Sequence, residues 1–504
     1  HQRRHDVDSA CVGLPALRRQ LGPEPDLEQQ RLLQRYRRRA PGRRPSGNDG
    51  GRTALLVAVG LSAFLAPFLG SSLNLAIPAI GRDLHASAVT LNWVVTAYLV
   101  ASAACLLPFG RLADLVGRRR IFLLGTLAQT TFLLAAAFAP SVSWLVALRL
   151  LQGAAGAMAF ATSMALLVAA FPAAERGRVL GIGTAAVYVG LSLGPPLGGF
   201  ITQQLGWRAV FLVNAAIGAL LAAVLSRSGA KESEARTDER FDLGGAALYA
   251  FGLAALIGGL STVKTIPPAR WAIVAGALAL TAFVVRDLAA AQPILALRLF
   301  RGAVFAFSNL AALLNYAATF AVGYLLSLYL QGVRGLSARD AGVVLLAQPV
   351  VMALLSPLAG RLSDRIEPRR VASLGMALSA VGLALFAGLG ETTSLGWVVA
   401  GLLLLGTGFG LFSSPNSNAV MSAVTPRDYG VASATLGTMR LVGQALSMAA
   451  AAAITAVRLG ESRLGEASIV ALLGAQRTAF VLFAALCTVG VAASLARGRV
   501  RAEC

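Results

Sequence analysis

The sequence predicts an all-α polytopic membrane protein with fourteen transmembrane helices, built as two related six-helix halves with two helices inserted between them. Three observations lead there. Of 504 residues, 56% are hydrophobic and 13% charged, and the mean hydropathy is +0.69, far more apolar surface than a soluble core of this length requires. Apolar runs long enough to span a bilayer follow one another along the chain. A charged stretch between two such runs occurs twice, at equivalent places.

The runs lie near residues 54–79, 91–110, 121–139, 142–170, 178–201, 208–226, 243–262, 271–289, 303–330, 340–360, 371–389, 396–421, 430–456 and 474–496. Each is read as a helix because lipid offers the backbone no hydrogen-bond partner and a helix supplies its own. An even number places both termini on one side. Lys and Arg concentrate in the connections on that side, as in 111–120 and 361–370, so the positive-inside rule predicts two cytoplasmic ends in the cell membrane. The net charge of +21 is then answered by anionic lipid headgroups and needs no nucleic-acid partner.

The expected organisation is a basic N-terminal tail over 1–52, a six-helix bundle over 53–226, an inserted pair with its loops over 227–302, a second bundle over 303–496 and a short tail over 497–504. The tail over 1–52 holds twelve arginines and six acidic residues, too little apolar surface to fold alone, and is read as disordered. Cys11, Cys105, Cys487 and Cys504 form no CxxC pair, and the only histidines are His1, His5 and His85. No metal site, cofactor or catalytic constellation is therefore expected, and neither is an enzyme.

The recurring stretch is GRLADLVGRRR at 110–120 and GRLSDRIEPRR at 360–370. A second pair, GRVLGIGTAAVYVG at 177–190 and GVASATLGTMRLVG at 430–443, falls on the fifth and thirteenth runs in the same order. Related halves around a midplane cavity are the architecture of secondary transporters.

These motifs resemble those of the major facilitator superfamily. Gly110, Leu112, Asp114, Gly117, Arg118 and Arg119 match its signature G-x-L-x-D-x-x-G-R-[RK]-x. Gly190, Gly194, Pro195, Gly198 and Gly199 look like its antiporter motif, and Arg149, Gln152 and Gly153 its R-x-x-Q-G element. NWVVTAYL at 92–99 and ASATLGTMRLVGQALSMA at 432–449 are similar to the fourteen-helix drug:proton antiporter branch, the EmrB/QacA type. The resemblance implies a major facilitator fold and proton-linked export of small amphiphiles from a monomer. It also implies a gating latch in which Asp114 is answered by Arg111, Arg118 or the start of the thirteenth helix near 426–430, with Gly360 and Asp364 as second-half counterparts.

Physical reasons stand beside the resemblance. Gly190, Gly194 and Gly198 recur every four residues, so they line one helix face and admit a close neighbour, while Pro195 removes a backbone donor and bends the helix. Arg149 and Arg440 lie about 10 and 15 Å inside their runs, where arginine is costly unless it faces protein or water. Gln152 and Gln444 share their faces. Asn74, Asn416 and Asn418 are further polar residues at depth, the last two in SSPNSN, which is read as interrupting its helix at Pro415. Together with Arg149 and Arg440 they are the candidate substrate and coupling residues.

Every acid after residue 52 falls in a loop or at a helix end, and Leu69 stands where the branch commonly carries an aspartate. Proton coupling must then use a helix-end acid such as Asp83 or Asp242, or a proton carried on the substrate. Without a buried carboxylate, neutral or anionic substrates are expected over permanent cations. A lipid exporter on the same fold and a membrane enzyme or non-transporting sensor are the alternative readings.

Overall fold

A computed structural model describes residues 49–171, 173–227, 241–263, 267–290, 294–295, 297–363, 365–425, 429–459 and 469–498. The basic segment over 1–48 lies outside them, and 49–52 form the first turn of a helix rather than a tail. Fourteen helices among the described residues are long and apolar enough to cross a membrane. They are α1 Asp49–Asp83, α2 Ala88–Val116, α3 Arg118–Ala137, α4 Val142–Ala170, α5 Ala173–Leu205, α6 Trp207–Arg227, α7 Leu243–Thr262 and α8 Ala269–Ala289. The series continues with α9 Ala303–Val333, α10 Ala338–Ser363, α11 Pro368–Ala387, α12 Leu395–Ser422, α13 Tyr429–Leu459 and α14 Ile469–Ala496.

Starts are set by local chemistry. Ser87, Ser141, Ser337 and Ser394 each accept a hydrogen bond from a first-turn N–H of α2, α4, α10 and α12, satisfying a donor the helix leaves open. All four lie on the face that carries the α1–α2 connection. Asp242 does the same for α7 on the opposite face.

Three details differ from the sequence reading. The stretch 110–120 is not a loop: α2 runs to Val116 and α3 begins at Arg118, with Gly117 at φ 117° making the whole turn. Only glycine adopts that conformation without strain. SSPNSN does not interrupt its helix, because α12 continues through Pro415. Conversely, α9 and α10 break where continuous helices were expected. In α9 the regular helix stops at Thr319, and the Ala321 N–H donates to Ser447 Oγ of α13 (3.0 Å) instead of to its own helix. In α10 it stops at Leu345, four residues before Pro349, whose ring excludes that carbonyl.

The fold is the expected one: two six-helix halves with a pair inserted between them. In the first half α4 packs on α2 and α3, and α3 on α6. In the second, α12 packs on α10 and α11, and α14 on α9 and α11. The halves meet along α2 with α13 and along α5 with α10. The inserted α7 packs against α8 and against both α2 and α13, so it covers that seam from the lipid side. Glycines allow the α7–α8 approach: a Cβ on Gly276 would sit 2.5 Å from the Leu256 nitrogen, and one on Gly252 3.0 Å from that of Leu280.

Candidate functional site at the interface of the two halves

The signature stretch lies on the face that carries the α2–α3 turn. Arg118 Nε donates to Asp114 Oδ1 (2.8 Å) and its Nη2 stands 2.7 Å from the same oxygen. The pair bridges the Gly117 turn, placing a positive charge beside a carboxylate at the negative end of α2. Gly110 and Arg111 lie on the last turns of α2 and Gly360 on α10, where a Cβ on Gly360 would meet Ser414 Oγ of α12 at 2.8 Å. Asp364 and residues 426–428 lie outside the described residues.

The glycine helix α5 is pressed between two neighbours. On one side a Cβ on Gly190 would lie 2.6 Å from the Phe64 carbonyl oxygen, on Gly194 1.8 Å from Ser71 Oγ, and on Gly198 2.4 Å from Ser72 Cα. Ser72 Oγ donates to the Gly194 carbonyl (3.1 Å). This neighbour is α1. On the other side Gly199 faces the Ala338 carbonyl, and the Pro195 carbonyl would lie 2.3 Å from a Cβ on Gly342. That neighbour is α10, from the other half.

A second contact between halves lies on the same face. Ser327 Oγ of α9 donates to the Asn74 carbonyl (2.7 Å), Gln331 Nε2 donates to the Leu75 carbonyl (3.3 Å), and the side chain of Asn74 abuts Gly323. The halves are thus closed against each other on the α1–α2 face.

The two arginines at depth have different surroundings. Arg149 is 2% exposed. Its Nε donates to the Val94 carbonyl (2.8 Å), Nη1 donates to Gln152 Oε1 (2.7 Å), and Gln152 Nε2 donates to the Phe132 carbonyl (3.0 Å). The guanidinium also lies 4.4 Å over the Tyr98 ring. Gly153 lets this happen, since a Cβ there would strike the Tyr98 carbonyl at 2.3 Å. Arg149 therefore joins α2, α3 and α4 inside one half.

Arg440 is half-buried near the middle of α13, with Gln444 one turn on. Its guanidinium carbon stands 5.2 Å from the Tyr316 ring centroid, and its Nε is buried without a hydrogen-bond partner. Around Tyr316 lies a cluster of Tyr188, Met352 and Phe409, drawn from α5, α10 and α12. Tyr188 Oη and Ser356 Oγ are 2.9 Å apart and join the halves near mid-membrane.

The asparagines go elsewhere. Asn416 Nδ2 donates to the Ser308 carbonyl (3.1 Å), and Asn418 Nδ2 donates to Ser363 Oγ (3.3 Å). Asn416 Oδ1 accepts from Arg497 Nη1 (3.1 Å). Arg497 carried no role in the sequence, where it reads as one more tail arginine, yet it is fully buried against α9 and α12. Burial pushes its guanidinium down to about 10. The glycine after it, Gly498 at φ 82°, is the local sign that the helix ends there, in the left-handed conformation glycine favours. Met352, Ser356 and Phe409 were also missed, because an apolar or small residue in a spanning helix reads equally as lipid-facing.

Neither helix-end acid proposed as a proton carrier stands open. Asp83 accepts from Trp207 Nε1 (3.0 Å) and from Arg208 Nη1. Asp242 accepts from Arg286 Nε and Nη2 (3.0 and 2.7 Å) and from the Gly245 N–H, and the Arg286 bonds hold it below the usual carboxylate range. Among the described residues no group of three His, Cys, Asp or Glu side chains is placed to hold a metal ion.

Comparison with known proteins gives concordant matches. The family model described as Major Facilitator Superfamily matches residues 59–308 and 308–503. The chain is 33% identical to the multidrug resistance protein Stp of Mycobacterium tuberculosis, covering 81% of this chain and 77% of that one. It is 34% identical to the cephamycin export protein CmcT of Amycolatopsis lactamdurans, over 82% and 86%. Among solved structures, a bacterial homologue of the human lysosomal transporter Spinster, inward-facing and unoccupied, superposes with a TM-score of 0.66 at 16% identity, covering 90% of this chain and 98% of that one.

Proposed function

The chain belongs to the Major Facilitator Superfamily, and from that premise we propose that it exports small amphiphilic molecules from the cell by alternating access, with protons as the coupling ion. It is a membrane transporter and not an enzyme. The observation that carries the alternating-access reading is the closure of the halves on the face opposite the Asp114–Arg118 turn: α5 against α10 and α1 against α9. A carrier works by exchanging such a closure for one on the other face. The match to drug and antibiotic exporters over most of the chain supports the outward direction and a small substrate.

In this reading the protein is a monomer in the cell membrane. Both termini lie on the cytoplasmic side, where the arginines 118–120 and 369–370 meet anionic lipid. Its bundles span 53–226 and 303–496, with 227–302 inserted. The Asp114–Arg118 turn, together with Gly110, Arg111, Gly117 and Gly360, forms the cytoplasmic latch, and Gly190, Gly194, Pro195, Gly198 and Gly199 hold the outer seal. Asp83 is bonded to Trp207 and Arg208 and Asp242 to Arg286, so neither serves as the proton carrier in this reading.

The test is reconstitution into liposomes with an imposed pH gradient and a panel of fluorescent amphiphiles. Gradient-dependent movement that Asp114→Asn lowers at least about tenfold, with membrane insertion and thermal unfolding unchanged, is the expected result. No movement of any probe in folded wild-type protein would overturn the exporter reading.

A further inference from the structure

We propose that the cluster around Arg440 is a binding site for planar aromatic acids, in which Arg440 recognises a carboxylate or phenolate while Tyr316, Phe409 and Tyr188 hold the ring. The proposal rests on the exporter reading and names the substrate class of the site where the halves meet.

Position comes first. Tyr188, Tyr316, Met352, Phe409 and Arg440 each stand near the middle of their helices, on α5, α9, α10, α12 and α13. Both halves contribute, so the site is assembled and taken apart as the halves move. Tyr316 and Phe409 meet edge to face, with centroids 5.3 Å apart and planes at 83°. Two rings fixed at right angles present one face and one edge to a third, the geometry that aromatic quadrupoles favour. Met352 adds a polarisable thioether that adapts to ring outlines.

Charge selects within that shape. Arg440 packs over the Tyr316 ring and keeps Nε buried with no partner. A buried donor without an acceptor is costly, and an incoming anionic oxygen satisfies it with a charge-assisted bond. The described acids of the spanning helices stand within a turn of a helix end, as do Asp83, Asp114, Asp287 and Asp340. A cation at mid-membrane therefore meets a like charge and no counter-charge. Arg149 offers no such donor, since its own half occupies it. Tyr188 and Ser356 hydroxyls, bonded to each other across the interface, become available to a ligand's polar edge when the halves part.

Binding is measured on detergent-purified full-length protein by fluorescence anisotropy with carboxyfluorescein, an anion built on a planar xanthene, and ethidium, a cation built on a planar phenanthridinium. Thermal unfolding is recorded for every variant. Carboxyfluorescein is expected to bind at least about tenfold more tightly than ethidium. Arg440→Gln should weaken it at least tenfold while leaving ethidium unchanged or tighter, with Arg440→Lys in between. Tyr316→Ala should weaken both probes and Tyr316→Phe neither. Equal binding of the two probes by wild type, or an Arg440→Gln protein that keeps its anion preference, overturns the proposal. The wild-type comparison decides even if Arg440→Gln fails to fold. Ethidium transport in liposomes without carboxyfluorescein binding would sink the substrate class and leave the exporter standing; no transport of any probe would sink the exporter itself.

Discussion

Residues of one chemical type have distinct tasks here, and the neighbouring atoms decide which. Arg149 and Arg440 look alike in sequence, each an arginine at depth with glutamine on the same helix face. The first is saturated by Val94, Gln152 and the Tyr98 ring, whereas the second keeps an open donor at the interface. The three α5 glycines differ in the same way. A methyl group at Gly194 meets first the hydroxyl of Ser71, which can turn aside, while one at Gly198 meets the backbone Cα of Ser72. Alanine gains up to about 1 kcal/mol of helix propensity over glycine, and overpacking costs about 1–3 kcal/mol where nothing yields. Gly198→Ala should therefore lower the thermal unfolding temperature clearly more than Gly194→Ala. Matching temperatures for the two variants in detergent would show that α1 retreats as a body and that the face is not a fixed contact.

Among elements, the repeated signature shows one connection made by two local solutions. The first copy turns on Gly117 alone; the second ends its helix at Ser363 and restarts α11 with Pro368 in the first turn, where a missing N–H costs nothing. The inserted pair is tied at its α2–α3 end by Asp242, which both caps α7 and holds Arg286 of α8. Because the Asp242 carboxyl is held below its ordinary value, its contribution is fully present above about pH 4 and is lost as pH falls through the lowered value. Asp242→Asn should mimic that loss at neutral pH. The expected readout is faster amide hydrogen exchange at the start of α7, with exchange in α2 unchanged; unaltered α7 protection would mean that packing alone holds the pair. Since α7 covers the α2–α13 seam, the lateral opening that a lipid exporter needs is closed on that side.

At the scale of the whole molecule, the site's charge sets which force moves the cargo. An anion leaving a cell that is negative inside moves down the electric field, worth about 2.3 kcal/mol per charge for each 100 mV, or about 50-fold in accumulation at equilibrium. A proton entering in exchange moves down the same field, so both halves of the cycle are electrogenic in one sense. Proteoliposomes given a potassium-diffusion potential at constant pH should therefore export an anionic aromatic faster as the cytoplasmic side is made more negative, while a neutral analogue responds less. Equal responses of the two probes would show that the substrate's charge is neutralised before it crosses.

The sequence by itself determined the number of spanning helices, their order, the internal repeat, the glycine face of α5 and the scarcity of acids at depth. These depend on composition and spacing, and a helix in lipid must satisfy its backbone along its own length, so local chemistry is enough to place it. Only the tertiary structure decided which polar groups at depth are used up. Asn416 and Asn418 bond Ser308 and Ser363, Arg149 is tied to α2, Arg497 folds back beneath α9 and α12, and α9 breaks where Ser447 captures a backbone N–H. The partners of these groups lie on other helices, tens to hundreds of residues away in sequence. A spanning helix states that a polar side chain is costly in lipid; the atoms that answer it belong to the neighbours.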